Sequence, residues 1–468
     1  MEILISYSYN LRIGKRRGSA MKEVFLLVRP YYGVNIHTDA QGEYGTVLHS
    51  NDVFPDLPLI NAATILNQSE DHDVIVLDAY AENKMLPDTL LKTIASMSCD
   101  KIVIKTTAAS VRSDIELVRR IKMSSPDSYV IVSGQVVSDL EDWLKANSAA
   151  DQIVNEPLDK YIYRYVNHRN GTVNDMPTPD YSLVNYRAYT DDNGRVRLTI
   201  QASRSCPMHC TYCPYTKYYG AYESRDVDKV MEDIRSLVSL GAEIIQFRDQ
   251  FFTCDKEKVK QICQKMIDEG IKVSWICETK INSIDEELAK LMKKAELILV
   301  CFGVESGNKE ILETYNSNKG DIDTQKRIVK MLKDKGILTM AFYIIGFPED
   351  TWETVHATYR CAEEIDSDIV AFNEYTTFYF DGKENIDPGI FRPFENSTNV
   401  DTDGNLSRDE IRYAIDLISA MYTANHDCLE KSYTFNHKIM SEYRKNIAMI
   451  AGCVEDLQLM SDRLRQIR

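Results

Sequence analysis

Cys206, Cys210 and Cys213 stand in the spacing C-x3-C-x2-C, directly after an alternating run, Val196–Ala202, that reads as a strand. A loop leaving a strand end can fold three thiolates around one side of a cubane, and soft thiolate sulfur is the ligand that iron–sulfur clusters take. Three protein ligands leave one iron open, and an open iron is a place for chemistry. The same residues have two plainer uses. A zinc site wants a fourth Cys or His, usually in a second pair; His209 lies inside the loop and no such pair follows it. A ferredoxin-type cluster wants a fourth cysteine.

The spacing, with the aromatic Tyr212 immediately before the third cysteine, resembles the signature of the radical S-adenosylmethionine (SAM) superfamily. The resemblance implies that Cys206, Cys210 and Cys213 hold a 4Fe-4S cluster and that Tyr212 lies against the adenine of SAM. It implies further that SAM chelates the open iron and is cleaved by one electron to methionine and a 5′-deoxyadenosyl radical.

Elements must position such a loop, and the chain after it supplies them. A helix capped by Asp226 runs to Leu240 with Val230, Ile234, Leu237 and Val238 on one face. Strand Glu243–Phe247, helix Lys256–Glu269, strand Val273–Cys277, helix Glu286–Ala295 and strand Leu297–Phe302 follow. Helices over 309–335, strand Leu338–Ile345, helix Trp352–Ile365 and strand Ile369–Asn373 complete the set. Six strands with intervening helices predict a partial (β/α)6 barrel over 196–375, whose chemistry sits at the carboxyl ends of the strands.

Those ends are polar: Arg248-Asp249-Gln250, Glu278-Thr279-Lys280, Gly303-Val304-Glu305-Ser306-Gly307, Gly346-Phe347-Pro348-Glu349-Asp350 and Asn373-Glu374. By resemblance, Glu305 would hydrogen-bond the SAM amino group or ribose, and the segment with Ile345 and Gly346 would bracket adenine. Lys280 would pair with the SAM carboxylate. Asp249 occupies the place where many members carry a Gly-Gly-Glu segment, which is missing here, and Arg248 beside it is a further candidate for the cofactor. Each has a plainer use: Glu305 as a helix cap, and Arg248, Asp249 and Lys280 as rim or ion-pair residues. Glu349-Asp350 and Thr351 are expected to serve the next helix's N-terminus.

Before the barrel, strands at Val24–Val28, Val74–Leu77, Ile102–Ile104, Val130–Val132 and Ile153–Val154 alternate with amphipathic stretches. This predicts a doubly wound parallel sheet over 21–166. The pattern, with Phe54–Leu59 and Ser133-Gly134-Gln135, resembles the cobalamin-binding domain that precedes the catalytic domain in one class of radical SAM enzymes. The D-x-H-x-x-G motif that supplies a lower cobalt ligand is absent, His37 and His72 do not replace it, and the second glycine of a Gly-Gly pair is missing. Some relatives bind cobalamin without that histidine and others keep an empty domain, so both states stay open. Residues 1–20 read as an extension and 167–195 as a turn-rich linker anchored by Tyr181 and Tyr186.

Residues 376–468 open with a loop and then read as mostly helical, with Ser407 as a cap; Asp401–Asn405 reads as a turn. Tyr375, Tyr379 and Phe380 are candidates for a pocket wall. Cys361, Cys428 and Cys453 are candidates to quench a substrate radical, or plain core residues.

Composition narrows the partners. The 468 residues carry 55 basic and 71 acidic side chains, a net charge of −16, which disfavours a nucleic-acid backbone. No apolar run is long enough to cross a bilayer. Eight of the eleven cysteines lie outside the motif without paired spacing, and a cluster needs reducing surroundings; both point to the cytoplasm. The expectation is a radical SAM enzyme acting on a small natural-product or sugar-like substrate, supplied with electrons by a flavodoxin- or ferredoxin-like donor. With cobalamin it would methylate carbon; without it, radical dehydration, deoxygenation or epimerisation would follow. A non-enzymatic iron–sulfur electron carrier or sensor is the remaining alternative.

Overall fold

The computed structural model of the protein describes residues 22–48, 50–317, 319–376 and 404–426. The expected extension, Tyr379, Phe380, Cys428, Cys453 and most of the Asp401–Asn405 turn lie outside the described residues.

The first five-stranded sheet is parallel throughout. Its strands are β1 (Glu23–Arg29), β4 (His72–Asp78), β5 (Lys101–Lys105), β6 (Tyr129–Ser133) and β7 (Gln152–Val154), in the order β4-β1-β5-β6-β7. The short pair β2 (Asn35–His37) and β3 (Thr46–Leu48) lies in the loop after β1. Alternate residues of β1 serve opposite faces, as the two-residue period of a strand requires. Phe25 and Leu27 pack towards helices α1 (Leu57–Gln68) and α5 (Leu158–Asn167). Leu26 and Val28 pack towards α2 (Pro87–Ala95), α3 (Val111–Ser124) and α4 (Val136–Asn147). Near-continuous Val, Ile and Leu in these strands reflect burial on both faces.

The second sheet is also parallel and sequential. Strands β8 (Arg197–Ile200), β11 (Ile244–Phe247), β12 (Ser274–Glu278), β13 (Leu297–Glu305), β14 (Leu338–Ile345) and β15 (Ile369–Glu374) lie side by side in chain order. A two-stranded ribbon, β9 (Ser203–Arg204) with β10 (Glu223–Ser224), and the short helix α6 (Tyr215–Tyr219) flank the cysteine loop. Outside run α7 (Val227–Ser239), α8 (Lys256–Asp268), α9 (Glu286–Lys294), α10 (Lys309–Thr314), α11 (Ile322–Asp334) and α12 (Trp352–Ile365). This is a partial (β/α)6 barrel, and α13 (Arg408–Asn425) packs against β15. Among the described residues no helix is long and apolar enough to cross a membrane.

Several local expectations need correction. Asp226 stands at the N-cap of α7, but its carboxylate accepts from Asn174 rather than from the helix. Val238 is exposed while Val230, Ile234 and Leu237 are buried. The helices expected over 309–335 are α10 and α11, separated near Gly320, whose φ of +83° glycine adopts readily. Thr351 does cap α12 in a reciprocal box with Thr354, whereas Glu349 accepts from the Tyr315 hydroxyl at 3.0 Å. Asp350 accepts from the Gly346 and Phe347 amides. In the linker, Tyr181 donates to the Thr199 carbonyl and Tyr186 to the Leu240 carbonyl; Tyr189, unforeseen, reaches Asp78.

Candidate active site

The cysteine loop sits at the carboxyl end of the barrel and is held from the far side of the strand set. The Thr211 amide donates to the Tyr315 carbonyl, Asn316 Nδ2 donates to the His209 carbonyl, and the Tyr212 hydroxyl meets Ser317 Oγ at 3.0 Å. The residue before the first cysteine, Ser205, has φ +66° and is fully buried, its hydroxyl donating to the Gly220 carbonyl. A left-handed non-glycine residue is strain kept by its surroundings, and such residues cluster at functional sites.

Cys206, Cys210 and Cys213 are half-buried and form no disulfide. Burial pushes the Cys213 thiol up to about 12, against a hydrogen bond from the Tyr215 amide that favours the thiolate. Burial also raises Cys206, against the Met208 amide. Among the described residues no three Cys, His, Asp or Glu side chains stand as a ready-made metal cage. The donor set nonetheless suits an iron–sulfur cluster: three thiols of one loop, backbone N–H groups aimed at two of the sulfurs, and a nearby lysine cation.

That cation is Lys319, which sequence reasoning missed. It binds Glu305 at 3.0 Å, and both side chains are largely buried. Burial opposes its charge, but Glu305, Cys210 and Cys213 together hold its pKa above the usual lysine value. No periodic or motif signal marks it; only the fold brings it beside the loop.

Glu305 closes β13 with φ +70°, at the point where the β13–β14 register shifts. Its carboxylate folds back over Gly303, where an added Cβ would overlap it and stand 3.1 Å from Lys319 Nζ. The helix-cap reading of Glu305 falls, because Asn308 caps α10. Lys280 is half-buried; its carbonyl accepts from Ser283, but its ammonium has no hydrogen-bond or ion-pair partner among the described residues. Burial and Lys319 lower its pKa, against Cys210 and Cys206.

Other expected contacts lie elsewhere. Asp249 is fully engaged by the end of β8: it accepts from the Ala202 amide at 2.9 Å and the Ser203 hydroxyl at 2.5 Å. Burial pushes it up to about 6. Arg248 reaches across to the first sheet's side, binding the Asp39 carboxylate at 3.4 Å and its carbonyl at 3.2 Å. The Ile345 side chain points away from the barrel interior into the helical layer, fully buried there. The strand period puts its neighbour Ile344 on the inner face instead. Gly346, with φ +96°, packs against Ile411 of α13. Tyr212 joins an aromatic group with Tyr315, Phe347 and Tyr375, the Phe347 and Tyr375 rings 4.9 Å apart. Cys361 is buried in the core.

Charged pairs lock the seam between the two sheets. Arg204 binds Asp159 of α5 across it, and the Tyr219 hydroxyl donates at 3.2 Å to Glu43, which Lys105 of the first sheet also binds. Yet several buried polar atoms there have no partner among the described residues: Asn61 Oδ1, Ser133 Oγ and Gln135 Oε1 on one wall, Arg204 Nη1, Arg248 Nε, Gln250 Oε1 and the Tyr218 hydroxyl on the other.

Comparison with known proteins agrees with this architecture. Residues 200–362 match the model of the Radical SAM superfamily. An uncharacterised methyltransferase of Pyrococcus horikoshii is 28% identical over 357 residues, covering 69% of this chain and 76% of that protein. The anaerobic magnesium-protoporphyrin IX monomethyl ester cyclase of Rubrivivax gelatinosus is 32% identical over 212 residues, 44% of this chain but only 38% of the cyclase. In fold, the chain resembles the radical SAM methyltransferase TsrM of Kitasatospora setae, solved with cobalamin and a [4Fe-4S] cluster (TM-score 0.61, 17% identity, 76% of this chain and 75% of that one). It likewise resembles the cobalamin-dependent radical enzyme OxsB (TM-score 0.58, 15% identity, 75% of this chain and 53% of that one). Most of the barrel falls within that family match and the two-sheet fold is shared with these neighbours: the chain carries a radical SAM domain, of the superfamily that uses a 4Fe-4S cluster and SAM, preceded by a sheet domain of cobalamin-binding-like fold.

Proposed function

We propose that this enzyme methylates carbon on a small molecule, with cobalamin held in the seam between its two sheets. The observation that carries the reading is the set of unpartnered buried polar atoms on both walls of that seam. Buried polar groups without partners are costly, and the amide side chains of a corrin offer both donors and acceptors. Ser133, Gln135 and Asn61 on one wall and Arg204, Tyr218, Arg248 and Gln250 on the other are the residues that would hold it. In use, the cluster and SAM supply a 5′-deoxyadenosyl radical and cobalamin supplies a methyl group.

This chain's own residues bind and orient. Cys206, Cys210 and Cys213 are the cluster ligands in this reading. Glu305, fixed by Lys319, presents a carboxylate to the amino group or ribose of SAM, and Lys280 offers its unpaired ammonium to the SAM carboxylate. The Tyr212 and Phe347 rings shield that end from water. The electron donor is flavodoxin- or ferredoxin-like, and the cluster requires a reducing compartment such as the cytoplasm.

One observation favours a second reading. The cavity in the seam, lined by Asp39, Asn61, Arg204, Tyr219 and Arg248 among others, is about 20 Å³, room for roughly one water. A corrin therefore enters only if the two walls part. A chain whose walls stay closed would run cobalamin-independent dehydration, deoxygenation or epimerisation. Anaerobic reconstitution with and without hydroxocobalamin decides between them: methylation predicts retained cobalamin and its spectrum after gel filtration. SAM cleavage to 5′-deoxyadenosine with no cobalamin retained selects the second reading.

A further inference from the structure

We propose that Glu278 is a substrate-binding carboxylate on the inner face of the barrel, placed to hold a protonated amine or other cationic nitrogen; this rests on the barrel mouth being the reaction site. Along β12 the side chains alternate. Trp275 and Cys277 are buried among the outer helices, and Ile276 joins Ile244 and Leu299 in a small inner cluster. Glu278 stands two residues beyond Ile276 and so shares its face. Its register partner on β13 is Cys301, which packs on the same inner cluster.

The groups that face Glu278 come from every neighbouring element. Arg248 ends β11, Tyr215 belongs to α6, Cys301 and Glu305 belong to β13, Lys319 follows α10, and Cys277 is on its own strand. Both cations are already committed, Arg248 to Asp39 at 3.4 Å and Lys319 to Glu305 at 3.0 Å. Lys280, two residues on, senses Lys319 and the cysteines instead. Glu278 is left half-buried, with no hydrogen bond or ion pair of its own among the described residues. Burial pushes it up to about 7, against the pull of Arg248 and with Glu305 adding to the rise.

A carboxyl in this condition is an unmet demand for positive charge. Anions are repelled by Glu278 and Glu305 together, and a cationic nitrogen would restore the carboxylate and satisfy it with a charge-assisted hydrogen bond. The position suits a substrate. Arg248 on one side touches the first sheet's loop, while Glu305 and Lys319 on the other side adjoin the cysteines. A ligand on Glu278 therefore lies between the seam and the cluster loop.

The test uses the anaerobically reconstituted full chain with SAM, and n-butylammonium against its uncharged isostere n-butanol as probes. Wild type is expected to bind butylammonium at least about tenfold more tightly than butanol. Glu278→Gln should erase that preference while the Kd for SAM stays within about twofold. In wild type with ¹³C-labelled glutamate, the Glu278 carboxyl should titrate near neutrality without the amine and about two units lower with it, a readout independent of any variant's folding. No preference in wild type, a preference that survives Glu278→Gln, or a loss of SAM affinity in that variant overturns the proposal. Failure to load a cluster or cleave SAM would instead sink the class reading, and the same amine titration on the as-isolated chain would still judge Glu278.

Discussion

The two parallel sheets present their carboxyl ends to each other, yet they are finished differently. The first sheet meets most of its polar demands internally: Arg29 binds Asp78, Lys105 binds Glu43, and Asp114 accepts from Tyr32, Thr106 and Ser110. The barrel end keeps three cysteines outside any disulfide and, among the described residues, leaves the side chains of Glu278 and Lys280 without a hydrogen bond or ion pair. Architecture alone does not distinguish the two. Thiols and charged side chains left unspent mark the end built for the reaction, whereas closed ion pairs mark the end that meets more of its polar demands within itself.

The sharpest way to break this contrast is to remove a thiol. Cys206→Ala should abolish the cluster absorbance and lower 5′-deoxyadenosine formation by at least about a thousandfold, because two ligands hold the cubane poorly. Its circular dichroism should match wild type, since Cys206 supports no core packing. A variant that still loads a full cluster and cleaves SAM would show that the ligands lie elsewhere.

On the supporting side, His37 tests whether the first sheet's loop titrates for stability. Its ring stacks on Phe54 at 3.9 Å, and Nε2 meets Asp39 at 2.7 Å. Burial, helped by Arg248, lowers its pKa to about 4 from the usual histidine value of 6.5. The unfolded chain therefore takes up a proton between these values and the folded chain does not. Stability from His37 is whole above pH 6.5 and is lost as pH falls towards 4, by up to about 3 kcal/mol. His37→Phe keeps the ring stack and removes the titration, so urea unfolding of the variant should lose less stability than wild type between pH 7 and 4.5. Parallel pH curves would refute the assignment.

Gly303→Ala probes the barrel side more gently. The added Cβ meets the far ends of two flexible side chains, the Glu305 carboxylate and Lys319 Nζ, so the fold should hold with Tm nearly unchanged. Displacing that carboxylate from Lys319 should weaken SAM binding about tenfold, measured by equilibrium dialysis. Unaltered affinity would remove Glu305 from the SAM site.

What the residues announce in advance is periodic or local. Strands buried on both faces, amphipathic helices and a C-x3-C-x2-C loop are read within a window of a few residues, and the two-sheet plan follows from their order. What escapes is set by partners far along the chain. Lys319 is anonymous until β13 and the segment after α10 bring it to Glu305 and the cysteines. Asp249 and Arg248 look like ligands because they end a strand, and only tertiary contacts show them spent on β8 and on Asp39. Ile345 illustrates the narrowest margin, since a one-residue difference in strand phase decides which face it serves. Asp226 was sound as a cap by type, but Asn174 reached it first.

Tyr212→Phe should have the smallest effect and separates two uses of one residue. The hydroxyl meets Ser317 Oγ at 3.0 Å, while the ring lies 6.0 Å from that of Phe347 and 6.5 Å from that of Tyr315. If the ring carries the function, removing the hydroxyl costs about 1 kcal/mol of stability from one lost hydrogen bond and leaves the cluster and SAM affinity within about threefold of wild type. Ser317→Ala should reproduce that loss, and the double variant should add nothing further, because both single changes delete the same contact. If instead Tyr212→Phe impairs cluster loading while Ser317→Ala does not, the hydroxyl has a partner beyond Ser317. The loop would then be held from the cofactor side, and the barrel end would owe less of its order to the protein than the contrast with the first sheet implies.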